Sequence, residues 1–396
     1  MPKEKKMIPE LRFPEFAKNA EWEVKTINDI AISESSSMAL NKLELKENGY
    51  PVYGADSIVG YIEEFQQSEK YISIVKDGSG VGRLNLCQSH SSILGTLTSL
   101  KSKNKKKYNL EWIYYLLNTI DFSGYVKGAG IPHIYFSDYK NENVPVPNPE
   151  EQQKIASCLS TLDEVIEAHS QKLELLKDHK KGLLQNLFPQ ENEKVPKLRF
   201  KEFKGEWQET ILEKISPAIF DGTHQTPKYT VEGIPFFSVE NLISGNKNKF
   251  ISKEDYLLAT SKNKPEKGDV LITRIGNIGF STVVDWDYEF SVYVTLAVVK
   301  QSDKFISQYL NGYFQSDFYQ KEIRSKSLLN AVPMKINMEE LRKTKVLLPP
   351  SKPEQQKIAD CLSSLDELIT TQAEKIEQLK QHKKGLMQCL FPKMND

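Results

Sequence analysis

The sequence has few cysteines and no long apolar run, and these absences exclude several classes of protein. Its 396 residues include four cysteines, and no two of them form the Cys-x-x-Cys pair used for zinc ligation or redox chemistry. No stretch approaches the ~18 consecutive apolar residues of a transmembrane helix. Residues 1–6 are charged and lack the apolar core of a signal peptide, so we expect a cytoplasmic protein that makes no membrane contact.

Motifs for catalysis are also missing. There is no Walker A sequence, and there is no Asp/Asn-Pro-Pro-aromatic motif for methyl transfer to an amine. Gly78, Gly80 and Gly82 do not have the Gly-x-Gly-x-x-Gly spacing of a nucleotide-binding loop, and a predicted strand follows them instead of a helix. The six histidines show no paired spacing for a metal. We therefore predict no catalytic or metal site in this chain.

The chain carries no excess of either charge. Lysines and arginines number 53, and aspartates and glutamates also number 53. A protein that binds nucleic acid over most of its surface has a basic excess, and this chain does not. Residues 101–107, with five lysines, are a local exception, because phosphate contacts need cations only along a groove. The alternative for this run is a solvated lysine loop.

One segment of 39 residues occurs twice. Residues 151–189 and 354–392 align without a gap, and 26 of the 39 aligned positions are identical. Both copies begin with Glu-Gln-Gln-Lys-Ile-Ala, and both reach His-Lys-Lys-Gly-Leu near their end. A chain of two halves that end in the same segment predicts a two-armed molecule.

Both copies have the pattern of a coiled-coil helix. Apolar residues recur at alternating steps of four and three, as at the a and d positions of heptads. A helix of this length would extend about 55 Å. The predicted seam consists of Ile155, Leu159, Leu162, Ile166, Leu173 and Leu176 in the first copy and of Ile358, Leu362, Leu365, Ile369, Ile376 and Leu379 in the second. The alternative is two surface helices of ordinary domains, but the long duplicated seam favours helices that pack on each other.

Polar residues interrupt the seam and mark the helix starts. His169 and Lys180 occupy seam positions in the first copy, and Gln372 and Lys383 match them in the second. Polar seam residues weaken a coiled coil but fix its register and partner. Each copy also shows a helix start with capping-box spacing, and Pro149 suits the first helical position. The capping pairs are Asn148 with Glu151 and Ser351 with Glu354.

A shorter repeat precedes each half. Residues 9–16 resemble residues 196–203, and Trp22 and Trp207 follow them. The segments between these starts and the helices show little similarity to each other. We predict an α+β fold, in which two globular mixed α/β bodies are joined by two long antiparallel coiled-coil helices in a pseudo-twofold repeat. The predicted segments are 1–148 and 191–350 for the bodies and 149–190 and 351–396 for the helices.

Similar local patterns are predicted in both bodies. A strand at Tyr71–Val75 and a strand at residues 269–273 each lead into a cation and a glycine-spaced turn. A strand at residues 292–299 and a helix at residues 305–315 follow in the second body, and residues 110–117 resemble that helix. Residues 128–133 and 329–334 form matching turns ahead of the long helices. Residues 221–227 form a polar loop with glycine and proline that could reach base edges or phosphates; a simple turn is the alternative.

Three strings of the second body, together with the duplicated helices, resemble a known family. The strings are Asp-Gly-Thr-His-Gln-Thr-Pro at 221–227, Gly-Ile-Pro-Phe-Phe at 233–237 and Lys-Gly-Asp-Val-Leu-Ile-Thr-Arg-Ile-Gly at 267–276. They look like a target recognition domain of the specificity subunit of type I restriction–modification systems. The duplicated helices look like that family's conserved spacer regions, so the resemblance covers nearly the whole chain. The first body lacks the 221–227 string and carries residues 53–56 and 78–83 instead.

The resemblance implies a mechanism. Each body would read one half of a bipartite target in double-stranded DNA, and the helices would set the spacer between the halves. Two methyltransferase subunits that bind S-adenosylmethionine would dock on the chain, and restriction or translocase subunits that use ATP with Mg would join for cleavage. The chain itself would hold no cofactor and catalyse nothing.

The positions that match the family, with the local cations, are the candidate DNA contacts. Lysines and arginines would contact phosphates and set the register, whereas other polar groups would read bases. The candidates are Thr223, His224, Gln225, Thr226, Lys228, Arg274, Asn277 and Lys326 in the second body and Gly78, Ser79, Arg83, Lys101, Lys103 and His133 in the first.

Two other classes of function stay open at the level of the sequence. One is a two-armed regulatory or interaction protein without restriction activity, which uses the coiled coil as a ruler between ligands other than DNA. The other is an enzyme with an unrecognised site in one body.

Overall fold

The computed structural model describes residues 7–328 and 330–393. The described chain divides into two compact units. One comprises residues 7–170 with 374–393, and the other comprises residues 171–328 with 330–373. The predicted segments are stretches of sequence, whereas each compact unit combines one body with parts of both long helices. Residues 1–6 of the first predicted segment, Leu329 of the predicted turn at 329–334 and residues 394–396 of the last predicted segment lie outside the described residues.

The first unit combines short strands with the start of one long helix and the end of the other. Its strands are β1 (Glu23–Thr26), β2 (Ala31–Ser35), β3 (Tyr50–Tyr53), β4 (Ile58–Ile62), β5 (Tyr71–Val75), β6 (Leu84–Cys87), β7 (Ser92–Ile93), β8 (Leu97–Ser102) and β9 (Asn143–Val146). Its α-helices are α1 (Ile27–Ile30), α2 (Leu110–Leu117), α3 (Phe136–Tyr139) and the first part of α4 (Pro149–Asn186).

The second unit follows a similar order of elements and has additional helices. Its strands are β10 (Gln208–Ile211), β11 (Ile219–Asp221), β12 (Tyr229–Thr230), β13 (Ile234–Phe237), β14 (Phe250–Ile251), β15 (Val270–Thr273), β16 (Ser281–Val283), β17 (Ser291–Val292), β18 (Leu296–Val299) and β19 (Lys345–Leu348). Its α-helices are α5 (Leu212–Ile215), α6 (Val239–Ser244), α7 (Lys253–Ala259), α8 (Ser307–Gln315), α9 (Asp317–Ser325), α10 (Met338–Arg342) and the first part of α11 (Lys352–Leu390).

The main sheet has the same topology in both bodies although they share little sequence. The antiparallel sheet β2-β8-β5-β6 corresponds to β11-β18-β15-β16, and the pair β1-β9 corresponds to β10-β19. A further sheet in each body contains a parallel pair, β3 with β7 and β13 with β17. The central strands β5 and β15 are buried along their whole length, as expected for strands covered on both faces.

Each unit packs the start of one long helix against the end of the other. In the first unit, Ile155 and Leu159 of α4 share a core with Leu390 and Phe391 at the end of the chain's second helical segment. The second unit repeats the arrangement with the equivalent residues of the other copy of the repeat. There Ile358 and Leu362 share a core with Leu187 and Phe188. The predicted antiparallel packing and the α+β class are therefore confirmed within each unit.

The predicted seam lies on the covered side of each helix. All twelve seam residues are buried or half-buried, whereas most of their sequence neighbours are exposed. The seam lysines also find partners, since Lys383 bonds to Asp163 in the first unit and Lys180 bonds to Asp366 at 2.6 Å in the second. Two like pairs at matching heptad positions favour one register over shifted alternatives.

The repeated Glu-Gln-Gln string fastens each long helix to its body. Buried Glu151 accepts a bidentate bond from Arg12, with both N···O distances at 2.8 Å, and a further bond from Trp22. The side-chain oxygen of Gln152 accepts the backbone N–H of Asn109 at 2.9 Å, just before α2. The second copy reproduces these contacts, with Glu354 bound to Arg199 and Trp207 and with Gln355 bound to Ile306.

The predicted capping boxes form only in part. The Asn148 side chain accepts the N–H of Glu151 at 2.9 Å, and α4 starts at Pro149 as predicted. The Glu151 carboxylate, however, turns to Arg12 instead of returning to the N-cap backbone. Arg12 gives this carboxylate a charged partner, and the ion pair takes the place of the bond to the N-cap backbone. None of the described helices is long and apolar enough to cross a membrane.

Candidate nucleic-acid interface

In the second body, the turn after β15 is built around Arg274. The Arg274 side chain is only 8% exposed. Its Nη1 group donates to Asp221 and to the carbonyl oxygen of Val294, both at 2.9 Å, and its Nε group donates to the carbonyl oxygen of Ile336 at 3.3 Å. Burial lowers the pKa of Arg274, and the charge of Asp221 opposes that shift. This guanidinium therefore holds three segments together.

The loop between β11 and β12 lies against the same turn. Thr223 exchanges backbone hydrogen bonds with Val292 and Val294 at 3.2 and 3.1 Å. The Thr226 hydroxyl is 3.1 Å from the hydroxyl of Tyr293. These contacts explain why the predicted strand at 292–299 is wrong as a single element. Residues 293–295 connect β17 and β18, which belong to different sheets, and Tyr293 and Val294 pair with this loop.

His224 and its neighbours are the accessible part of the loop. His224 Nε2 lies 3.0 Å from the Asp221 carboxylate that also binds Arg274. The side chains of His224, Gln225, Thr226 and Lys228 are exposed. The loop therefore presents donors and acceptors to solvent, and buried Arg274 holds the loop through the carboxylate of Asp221.

A hairpin ahead of α10 completes this group. The N–H of Leu328 donates to the carbonyl oxygen of Lys335 at 2.7 Å, and the N–H of Gly276 donates to the carbonyl oxygen of Met334 at 2.8 Å. Gly276 has a φ of +84°, which favours glycine. We call residues 221–228, 274–279, 293–295 and 330–335 the second turn cluster. Asn277 is exposed within it.

The first body builds the same group from different residues. Gly78, with a φ of +88°, donates its N–H to the carbonyl oxygen of Pro132 at 2.8 Å. His133 exchanges backbone bonds with Lys127 at 2.8 and 2.9 Å, and its ring packs on Tyr135. We call residues 35–38, 76–83, 95–96 and 127–133 the first turn cluster. The structure thus brings Gly78, Ser79, Arg83 and His133 together.

The sequence alone did not reveal residues 35–37 as candidates. The Gly95 N–H bonds to the Met38 carbonyl oxygen at 2.7 Å, as the Val294 N–H bonds to Thr223. The serines at 35–37 therefore occupy the place of the 221–223 string, and Ser35 and Ser37 are exposed. A triple serine directly after a strand was the available signal. Lys335 is a second omission, since it is exposed in the hairpin opposite Ile275.

Three of the predicted contacts lie outside the turn clusters. Lys101 bonds to Glu34 at 2.8 Å, and Lys103 bonds to the carbonyl oxygen of Asn28 at 2.7 Å. Lys101 lies near the opposite end of β8 and Lys103 directly follows that end, because Leu97 pairs with Val75 at the turn end of the sheet. Lys326 lies after α9, 3.9 Å from both Glu322 and Glu340. Arg83 stays within the first cluster and pairs with Asp56.

The comparison with known families fits this duplicated architecture. The family model described as "Type I restriction modification DNA specificity domain" matches residues 19–178 and again residues 205–381. The chain belongs to this family. Each match contains most of one body, its turn cluster and most of the long helix that follows.

Similar proteins of this specificity family match nearly the full length of the chain. The type I restriction enzyme MjaVIII specificity subunit of Methanocaldococcus jannaschii is 27% identical, over 96% of this chain and 93% of that protein. The type I restriction-modification system S subunit from M. genitalium has a similar fold, with a TM-score of 0.68 at 19% identity and coverage of 98% and 100%. A chain from a study of complex assembly in the type I R-M system has a TM-score of 0.56 at 16% identity, with coverage of 94% and 97%.

In this specificity-family chain, the described residues contain no group of three or more histidines, cysteines or acids placed to hold a metal. What the turn clusters offer is instead a set of exposed hydroxyl, amide, imidazole and ammonium groups next to backbone N–H groups. Such groups hydrogen-bond to base edges and phosphate oxygens.

Proposed function

We propose that this chain is the DNA-recognition subunit of a type I restriction–modification complex, in which each body reads one half of a bipartite target through its turn cluster. The long helices set the number of unread base pairs between the halves. Because two like bodies carry unlike loops, one chain specifies two different short sequences.

One observation carries this proposal: a single sheet topology presents two different sets of exposed side chains at the same sheet end. The second cluster presents His224, Gln225 and Thr226, whereas the first presents serines and Arg83. A fixed frame with exchangeable loops is what recognition of two unrelated sequences requires, since loops on a rigid scaffold carry binding groups.

The proposed partners follow from the repeat. The outward faces of the helices repeat much of their sequence, for example at the exposed residues Glu164 and Lys172 and at their counterparts Glu367 and Lys375. Two like surfaces suit two copies of a methyltransferase subunit, and restriction subunits join that assembly. In this proposal S-adenosylmethionine, ATP and Mg are bound by those partners, and this chain contributes no catalytic residue and no cofactor.

Co-expression tests the proposal. The chain is produced with the methyltransferase subunits of its own system in a host that lacks adenine methylation, and modified bases are mapped by sequencing. We expect one motif with two specified parts and a fixed unread interval, and no modification when this chain is omitted. A continuous motif, or modification by the partners without the chain, would contradict the proposal.

A further inference from the structure

Each turn cluster holds an apolar residue out into solvent at the tip of its hairpin. Ile131 is 71% exposed and Val332 is 100% exposed, and a proline follows each of them. Single exposed apolar residues are common on proteins. Here, however, two bodies with dissimilar sequences place a β-branched residue and a proline at the same element.

The hairpins are fastened before any ligand arrives. The first is closed by the reciprocal bonds of Lys127 with His133 and is tied to the glycine turn through Pro132. A side chain at Gly128 would collide with the carbonyl oxygen of Ile131, so glycine is required there. The second hairpin is tied in the same way through Met334 and Gly276. Rigid tips lose little conformational freedom on binding.

The space beside the tips is open and flanked by donors. A Cβ atom added at Gly78 or at Gly276 would meet nothing within 4 Å, so a ligand backbone can approach both turns closely. Exposed Lys335 lies at the base of the second hairpin, and the His133 ring lies at the base of the first. An apolar tip is suited to contact the faces of two stacked bases, and the polar groups at its base are suited to contact the flanking phosphates.

We propose that the Ile131–Pro132 and Val332–Pro333 tips are wedges that enter a base step of duplex DNA in each half-site. This inference rests on the proposed function and names the residues that deform the target. Apolar side chains, including isoleucine and proline, partly unstack base steps when they insert between them. Pyrimidine–purine steps deform most easily, so we expect such a step beneath each tip.

The test uses the complex of the full chain with its methyltransferase subunits and duplexes that carry 2-aminopurine at successive positions of each half-site. We expect increased fluorescence at one step in each half-site. Val332→Ser should remove the increase in the second body's half-site alone, and Ile131→Ser should remove it in the other. Because burial of one such side chain is worth ~1.5 kcal/mol, each variant should bind about tenfold more weakly.

Matched controls separate the possible results. Leu258→Ser changes an apolar residue that is 75% exposed outside the turn cluster, and it should alter neither the fluorescence increase nor the affinity for DNA. Val332→Ile should keep both the fluorescence increase and the affinity. If the serine variants bind more weakly but leave the fluorescence increase unchanged, the wedge proposal is wrong, because the tips would then contact the DNA groove without entering a base step. Absence of any fluorescence increase with the unmodified chain would also overturn it. If that chain binds its target no better than random duplex, the proposed function itself fails.

Discussion

The Asp221 carboxylate connects the buried and exposed parts of the second turn cluster. It accepts a bond from Arg274 at 2.9 Å and lies 3.0 Å from the ring nitrogen of His224. Sequence patterns marked Arg274 as a DNA contact, but its Nε and Nη1 groups bond within the protein. Three segments distant in sequence bury that side chain, and their approach cannot be read from local spacing; a contact of Arg274 with DNA stays a prediction.

The variant Asp221→Asn tests this arrangement. Removing the charge leaves a buried guanidinium without its carboxylate, so we expect a loss of about 1–3 kcal/mol in the free energy of unfolding. Urea unfolding followed by fluorescence gives the value. Asp287→Asn, in the exposed pair with Lys267, is the control and should change little. Equal effects of the two variants would show that Asp221 does not hold the cluster.

Gln225 and Lys228 separate base reading from phosphate binding. Both are exposed in the second cluster. We expect Lys228→Ala to weaken binding to all duplexes similarly and to lower the salt slope by about 1, whereas Gln225→Ala should cost about 1–3 kcal/mol on the cognate half-site alone. Titrations of cognate and random duplexes at several salt concentrations measure both effects. Lys253→Ala, in an ion pair with Glu289 away from the cluster, should leave the slope unchanged.

Lys300 predicts a pH dependence of stability. Burial alone would lower the pKa of Lys300, but its bonds to Glu266 at 2.7 Å and Asp269 at 2.9 Å outweigh burial and raise the pKa above its ordinary 10.5. A raised pKa in the folded state stabilises the fold below the unfolded value, and this contribution is lost as the pH rises through the folded value.

The stability difference between the natural chain and Lys300→Met should therefore be constant at neutral pH and shrink above pH 10.5. Urea unfolding between neutral and alkaline pH measures it. Lys345→Met, which removes a partly exposed pair with Glu209, is the control and should have a smaller effect. A difference that grows with pH would have the wrong sign for this account.

At the scale of elements, the long helices were predictable and the sheets were not. The heptads, Pro149 and the Phe-Pro pairs at 188–189 and 391–392 are local signals, and the bounds of α4 and α11 agree with them within a few residues. Strand pairing such as β2 with β8 joins residues far apart in sequence, so periodicity alone could not reveal that both bodies share one topology. For the same reason the three serines at 35–37 were not recognised as the counterpart of residues 221–223.

The Glu-Gln-Gln anchors give a prediction for each long helix. Glu151→Ala and Glu354→Ala each leave a largely buried arginine without its bidentate partner, and loss of one partner of a buried pair costs about 3–5 kcal/mol. Glu150→Ala, on the exposed side of the same turn, serves as the control. Thermal unfolding should show a large shift for both anchor variants and a small one for the control. A small shift for Glu151→Ala would show that the anchor is dispensable.

At the scale of the whole molecule, the central claim is that specificity belongs to the bodies and that each body acts independently. The two family matches, at residues 19–178 and 205–381, each contain most of one body. The anchors and seam pairs repeat in both halves, so a body from another family member should find the same attachment points. The long helices should then keep the interval between half-sites unchanged.

The most direct measurement is the methylated motif of a chain in which residues 22–148 are replaced by the corresponding body of another specificity subunit. The chimaera is co-expressed with the same methyltransferase subunits, and modified adenines are mapped across the host genome. The account predicts that one half of the motif changes while the other half and the unread interval stay the same. An unchanged motif, or simultaneous change of both halves, would contradict it.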